Sequence, residues 1–271
     1  MSVAALTVTG MATLPNPLPR LASLGLHLPP GGLVAATDQG PWHEPLLWLA
    51  DDRATSEGWA EFRRTAPPVG LIPVVIDVGA GHDGPELWEL MPGEMSYPGD
   101  HDPEEVLEDL WDELAQEDAD WPGLAAAGDA EGTGAAEDPE SVADDIVDSL
   151  LADGSPLKDP RLALVPARRS ADIPAAIGWS GPVNHEDDTG RLSAVLRSWE
   201  DRFGIRVVTL GFDTLLVSVG NPPTTLAEAE ALAAEHLAFC PDNLWQSSDS
   251  TIAAYAENQL LNQPAWYFWW D

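Results

Sequence analysis

The sequence predicts an α+β fold, on three observations: short β-branched strand runs punctuated by turns, amphipathic helices with recognisable caps, and a C-terminal order of β, α, β, β, α, α, β. That order reads as a split βαβ, ferredoxin-like sheet with helices on one face. An N-terminal α+β lobe precedes it, and acidic helices lie between the two. The expected boundaries are 1–99, 100–160 and 161–271.

In the first segment, Leu33 to Ala36, Pro45 to Ala50 and Gly70 to Val78 read as strands, the last a fully buried one because its Val-Val-Ile run does not alternate. Ser56 is the expected cap of a helix carrying Trp59 and Phe62 on one face. In the second segment, Asp102, Pro103 and Glu105 supply an N-cap acid, a first-turn proline and a further acid. Leu107, Leu110, Trp111 and Leu114 then recur at helical spacing. Asp138, Pro139 and Glu140 repeat this start at an offset of 36 residues, followed by Val142, Ile146 and Leu150, so the two helices look like copies. Two copies are too few for a solenoid. The stretch from Ala125 to Glu137, rich in Ala and Gly, reads as a flexible loop.

The third segment opens on a strand at Leu162 to Val165. Asp188 or Thr189 caps a helix through Leu192, Val195, Leu196, Trp199 and Phe203 that Gly204 ends. Ile205 to Leu210 and Thr214 to Val219 form a hairpin, and Thr225 with Glu228 makes a capping box for a helix ending at Pro241. A further helix covers Thr251 to Leu261. Trp266 to Trp270 closes the chain as a strand with aromatic side chains on both faces, and Arg197 or Arg202 is expected to pair with Asp271.

Composition narrows the function. The 271 residues carry a formal charge of -34. Residues 100–160 hold 21 acids against one base, Lys158, whereas each flank nets only -7. Charge of that density repels phosphates and anionic lipid, which argues against nucleic-acid or membrane binding and suits either solubility or steering of a basic protein partner. No apolar run reaches the roughly 20 residues of a bilayer span, and Met1 to Gly10 has no basic residue ahead of its apolar stretch, so a cytoplasmic protein is expected. Cys240 is the single cysteine. It allows neither an intramolecular disulfide nor a multi-cysteine zinc site.

For catalysis, His236 and Cys240 lie four apart on one helix with Asp242 beyond, the residue types of a cysteine nucleophile. Yet Cys240 closes its helix, where the dipole disfavours a thiolate, and Leu226, Ala229, Ala233 and Leu237 place both residues beside the core stripe. The groups His185, Glu186, Asp187, Asp188 and His82, Asp83, Asp100, His101, Asp102 lack a metal-ligand spacing, and read as a helix start and a polar loop. Gly79, Gly81 and Gly84 do not match a phosphate loop, and no nucleophile elbow is present, so no cofactor is expected.

Twelve tryptophans remain. Trp fills both cores and interfaces. Trp42, Trp88, Trp111, Trp121 and Trp245 fall at turns or acidic helices, and with Leu107 and Leu110 the last three are the candidate partner contacts. The leading expectation is a non-catalytic acidic binding protein, an immunity-type protein or inhibitor of a basic partner. The alternatives are a hydrolase or transferase around His236, Cys240 and Asp242, and a docking scaffold of tandem acidic helices.

Several phrases, Leu164-Val165-Pro166-Ala167, Gly178-Trp179, Arg197-Ser198-Trp199-Glu200-Asp201-Arg202-Phe203-Gly204, Glu235-His236, Phe239-Cys240-Pro241-Asp242-Asn243 and Phe268-Trp269-Trp270-Asp271, resemble the bacterial domain-of-unknown-function family 4253. Leu47-Trp48, Gly70 to Val74 and Trp121-Pro122-Gly123-Leu124 resemble its N-terminal extension. The resemblance implies no activity or cofactor. It implies a boundary near residue 160, a bacterial cytoplasmic setting, and His236, Asp242, Asn243 and Asp271 as the first places to look for a site.

Overall fold

The computed structural model describes residues 15–79, 83–114, 120–127, 137–249 and 251–271. Among these residues nine strands form: β1 Gly31–Val34, β2 Ala36–Thr37, β3 Gly40–Pro41, β4 Leu47–Arg53, β5 Ile72–Asp77, β6 Pro160–Val165, β7 Ile205–Leu210, β8 Thr214–Val219 and β9 Ala265–Trp269. The helices are α1 Ser56–Thr65, α2 Pro103–Leu114, α3 Pro139–Leu151, α4 Ile173–Ile177, α5 Thr189–Phe203, α6 Leu226–Phe239, α7 Asp242–Trp245 and α8 Ile252–Tyr255. Several caps fall where the residue types place them: Asp138 and Asp188 accept from the first turns of α3 and α5, and Thr225 with Glu228 closes a capping box on α6. Thr55 caps α1 one residue ahead of the expected Ser56, because its side chain accepts from Gly58 N. Gly204 ends α5 at φ 63°, a left-handed conformation that suits glycine.

Seven strands make one mixed sheet in the order β1-β4-β6-β5-β7-β8-β9. The α+β class holds, but the chain path is not a split βαβ. β6 runs antiparallel to β5, and β5 parallel to β7, so β6 and β7 are antiparallel with an N-terminal strand between them. Strands from 1–99 and from 161–271 therefore lie side by side in one sheet, and the helices of 100–160, α2 and α3, pack on its two faces.

Alternation along the strands divides the core in two. Leu47, Leu49, Val74, Ile76, Ala163 and Val165 face α2, α4, α5 and α6. Trp48, Val75, Leu162 and Leu164 face α1 and α3. Period-2 alternation in a sheet covered on both sides gives strands buried throughout, as the Val-Val-Ile run of β5 anticipated. The helices of residues 161–271 do lie on one face, as expected; the other face is covered by α1 and α3 from upstream. The two acidic helices are thus separated by the sheet. Each buries its apolar stripe, Val106, Leu107 and Leu110 on one side and Val142, Ala143, Val147 and Leu150 on the other. Neither stripe is therefore left open to enter a partner's groove.

β9 is an edge strand, buried on one face only: Trp266, Phe268 and Trp270 are covered, whereas Tyr267 is 53% exposed. Arg197 pairs with Asp172 and Arg202 with Glu235, so neither holds Asp271. The Asp271 N–H instead donates to Asp242 Oδ2. Ala125 is anchored by two backbone hydrogen bonds, which fixes the start of the expected flexible loop; residues 128–136 of that loop lie outside the described residues.

Two consequences follow for truncated chains. Burying each aromatic side chain of β9 contributes about 1.5–3 kcal/mol, and three of them rival the roughly 5–15 kcal/mol of a domain's net stability. Deleting residues 265–271 is expected to abolish the cooperative thermal transition. Residues 161–271 expressed alone lack β5 and α3, and their circular-dichroism melt should also lose the transition that the full chain shows.

Candidate functional site

The residues singled out for chemistry converge where the end of α6 meets β9. His236 is fully buried in a box of Trp199, Tyr255, Trp266 and Phe268, with ring centroids 4.8–5.9 Å away. Tyr255 Oη accepts from Asn243 Nδ2 at 3.2 Å and shares a hydrogen bond with His236 Nδ1 at 3.1 Å. His236 Nε2 meets no hydrogen-bond partner among the described residues. Burial lowers the His236 pKa to about 3, and the Arg202 cation acts in the same direction.

Cys240 does not turn toward His236. Its thiol donates to the Trp269 carbonyl at 3.0 Å and lies 3.5 Å from Asn243 Oδ1. Burial pushes the thiol pKa well up, the opposite of what a nucleophile requires. Asp242 accepts from the Asp271 N–H and from Gln246. The three side chains are thus held by three different sets of partners, and the geometry does not assemble a cysteine nucleophile. Spacing of i and i+4 places two side chains on one helix face, but whether that face meets a cleft or a core depends on what packs there.

What Asn243 does is structural and specific. Its side-chain amide donates to Tyr267 O at 2.6 Å and accepts from Trp269 N at 3.2 Å, so it mimics the backbone of a neighbouring strand along the open edge of β9. Glu235, next to His236 on α6, was not singled out by the sequence. It has no solvent exposure, and its two carboxylate oxygens accept from Ala125 N, Trp199 Nε1 and both terminal nitrogens of Arg202, at 2.5–2.8 Å. The available signal was an acid on the apolar side of its helix, one position from a histidine.

Residues 161–271 match the family model described as Domain of unknown function (DUF4253). No curated protein and no solved structure matches the chain. The Glu235, His236, Cys240 and Asn243 cluster lies wholly within the matched segment and joins α5, α6 and the last strand of the domain.

The partner candidates separate by burial. Leu107 and Leu110 are core residues, 0% and 1% exposed, so they present no contact surface. Trp88 is also buried. Trp111 and Trp121 are half-buried and pack edge-on to each other at 5.6 Å. Trp245 alone among these is open, at 60% exposure, on the short helix that carries Asn243.

The weaker metal candidates serve other ends. Asp188 caps α5 and accepts from Ser96 N, Glu186 binds Arg191, and His101 meets Ser96 Oγ. His82 lies outside the described residues. Among the described residues no three His, Cys, Asp or Glu side chains gather as for a metal ion.

The buried imidazole gives a pH dependence with a definite sign. Unfolded, His236 binds a proton near its ordinary pKa of about 6.5; folded, it stays neutral down to about 3. Between these values the unfolded state holds the extra proton. Its contribution to stability is therefore intact at neutral pH and falls by about 1.4 kcal/mol per pH unit as pH drops through that window. Urea melts at pH 6.5 and 5 should show this loss in the wild type and a smaller one in His236→Phe. Glu235→Gln leaves the Arg202 cation without its buried partner, and the same melts should show a loss of about 3–5 kcal/mol at neutral pH.

Proposed function

We propose that this protein is a non-catalytic acidic binding protein, an immunity-type protein or inhibitor whose partner is basic. The observation that carries this reading is the outer face of α2. Asp102, Glu104, Glu105, Glu108, Asp109, Asp112 and Glu113 are all exposed along it, while Val106, Leu107 and Leu110 lock the opposite face into the core. Of these seven carboxylates only Asp109 meets a cation among the described residues, Arg191 at 2.8 Å. A rigid row of carboxylates with so little internal compensation repels itself, and an external cationic surface relieves that repulsion. Trp245 adds an exposed indole, a suitable face for a lysine or arginine side chain.

The reading sets the protein in a bacterial cytoplasm. Cys240 as a buried free thiol is compatible with a reducing compartment. Among the described residues no helix is long and apolar enough to cross a membrane. Charge of this sign and density also disfavours nucleic acid as the partner.

The test is association kinetics with a captured partner. Changing Glu104, Glu105, Glu108 and Asp112 to their amides should slow association by about tenfold at low salt and flatten its salt dependence, with dissociation little altered. The thermal transition should hold or rise. An association rate indifferent both to these changes and to salt overturns the proposal.

A further inference from the structure

The parallel pairing of β5 with β7 covers only Val75 with Thr209 and Ile76 with Leu210. Toward their N-terminal ends the two strands part. Pro73 lacks an N–H to offer β7, and the Val207 N–H donates to Ser170 Oγ instead of to a strand. The gap continues as a cleft of about 250 Å³, walled by Ile72, Pro73, Val207 and Val208 and closed over by α1 and α3.

Four arginines line this cleft: Arg63 from α1, Arg168 and Arg169 from the turn after β6, and Arg206 from β7. They are a third of the chain's 12 basic residues, in a protein of net charge -34. Two carboxylates, Glu140 and Glu200, line it as well. Ion pairs hold the guanidinium groups in place: Arg63 and Arg206 both engage Glu140, and Arg169 reaches Glu200 and Asp201. These pairs do not use every donor. Arg206 Nε binds Glu140 and Nη1 binds the Ile205 carbonyl, and among the described residues Nη2 has no hydrogen-bond partner. Burial raises the Glu200 pKa, against the pull of Arg169 and Arg206.

The geometry points to a binding site for a small phosphomonoester, with its phosphoryl group on the arginines and an apolar body on Ile72, Val207 and the Trp59 side of the cleft. Guanidinium forks match phosphoryl oxygens in both shape and charge, and groups already held by neighbouring carboxylates need little ordering on binding. This site lies where β5 and β7 part, lined by α1 and α3 on one side and by Glu200 of α5 on the other, and it stands or falls independently of the partner reading.

The test is titration of the full chain with phenyl phosphate and with inorganic phosphate, by calorimetry and by the Nε–H signals of the arginines. Phenyl phosphate is expected to bind with a Kd of about 1 mM or below, and more tightly than inorganic phosphate. Arg206→Gln and Arg168→Glu should each weaken binding by about tenfold or more, and Arg53→Gln, on an arginine outside the cleft, should leave it unchanged. Arg206→Gln also loosens α3; should it fail to fold, the exposed Arg168 variant decides alone. Absence of saturable binding, equal affinity for the two phosphates, or equal sensitivity to all three substitutions overturns the inference.

Discussion

A carboxylate with no access to water lies inside the helical layer, and much of that layer is arranged to neutralise it. Glu235 receives hydrogen bonds from an indole, a guanidinium and a backbone amide, so each oxygen is satisfied twice. A buried carboxylate left uncompensated is costly, which makes the positions of α5, α6 and the 120–127 segment mutually dependent. The same arrangement sets the surroundings of His236. Trp199 contacts both side chains; burial disfavours a charged imidazole, and Arg202 acts in the same direction, so the ring remains neutral.

The family-matched segment is held together by contacts that look catalytic when read as a list of residue types. A histidine, a cysteine, an aspartate and an asparagine all lie near one helix end. Their partners show a different use: His236 belongs to an aromatic box, Cys240 and Asn243 fasten the backbone of β9, and Asp242 holds the last residue. Polar groups in that setting align the edge strand and shield it from pairing with another chain. The segment also depends on what precedes it, since β5 separates β6 from β7 and α3 covers the far side of β7 and β8.

Charge is distributed with the same economy. Most of the few arginines are consumed inside the fold, bridging α5 to α6, α1 to α3, and β7 to α3. The outer face of α2 is left almost without cations, and the cleft between β5 and β7 has four.

Local rules carried a good part of this structure. The capping residues of α3, α5 and α6, the β7–β8 hairpin and the burial of β5 all follow from side chains within a few residues of one another, and all were legible in the sequence. So was the shared pattern of α2 and α3. Which face each of those helices covers was not legible, because an apolar stripe states that it is buried and not against what. Strand order was hidden for a similar reason: β6 pairs with β4 and β5, more than 80 residues upstream, and no periodicity encodes a partner at that distance. The candidate site divides along the same line. Sequence alone determined that His236 and Cys240 share a helix and that the surface is acidic. Only the tertiary structure decided that the pair is buried, that Glu235 is the charge they pack beside, and that four arginines meet where two strands part, since each of these depends on elements brought together from distant parts of the chain.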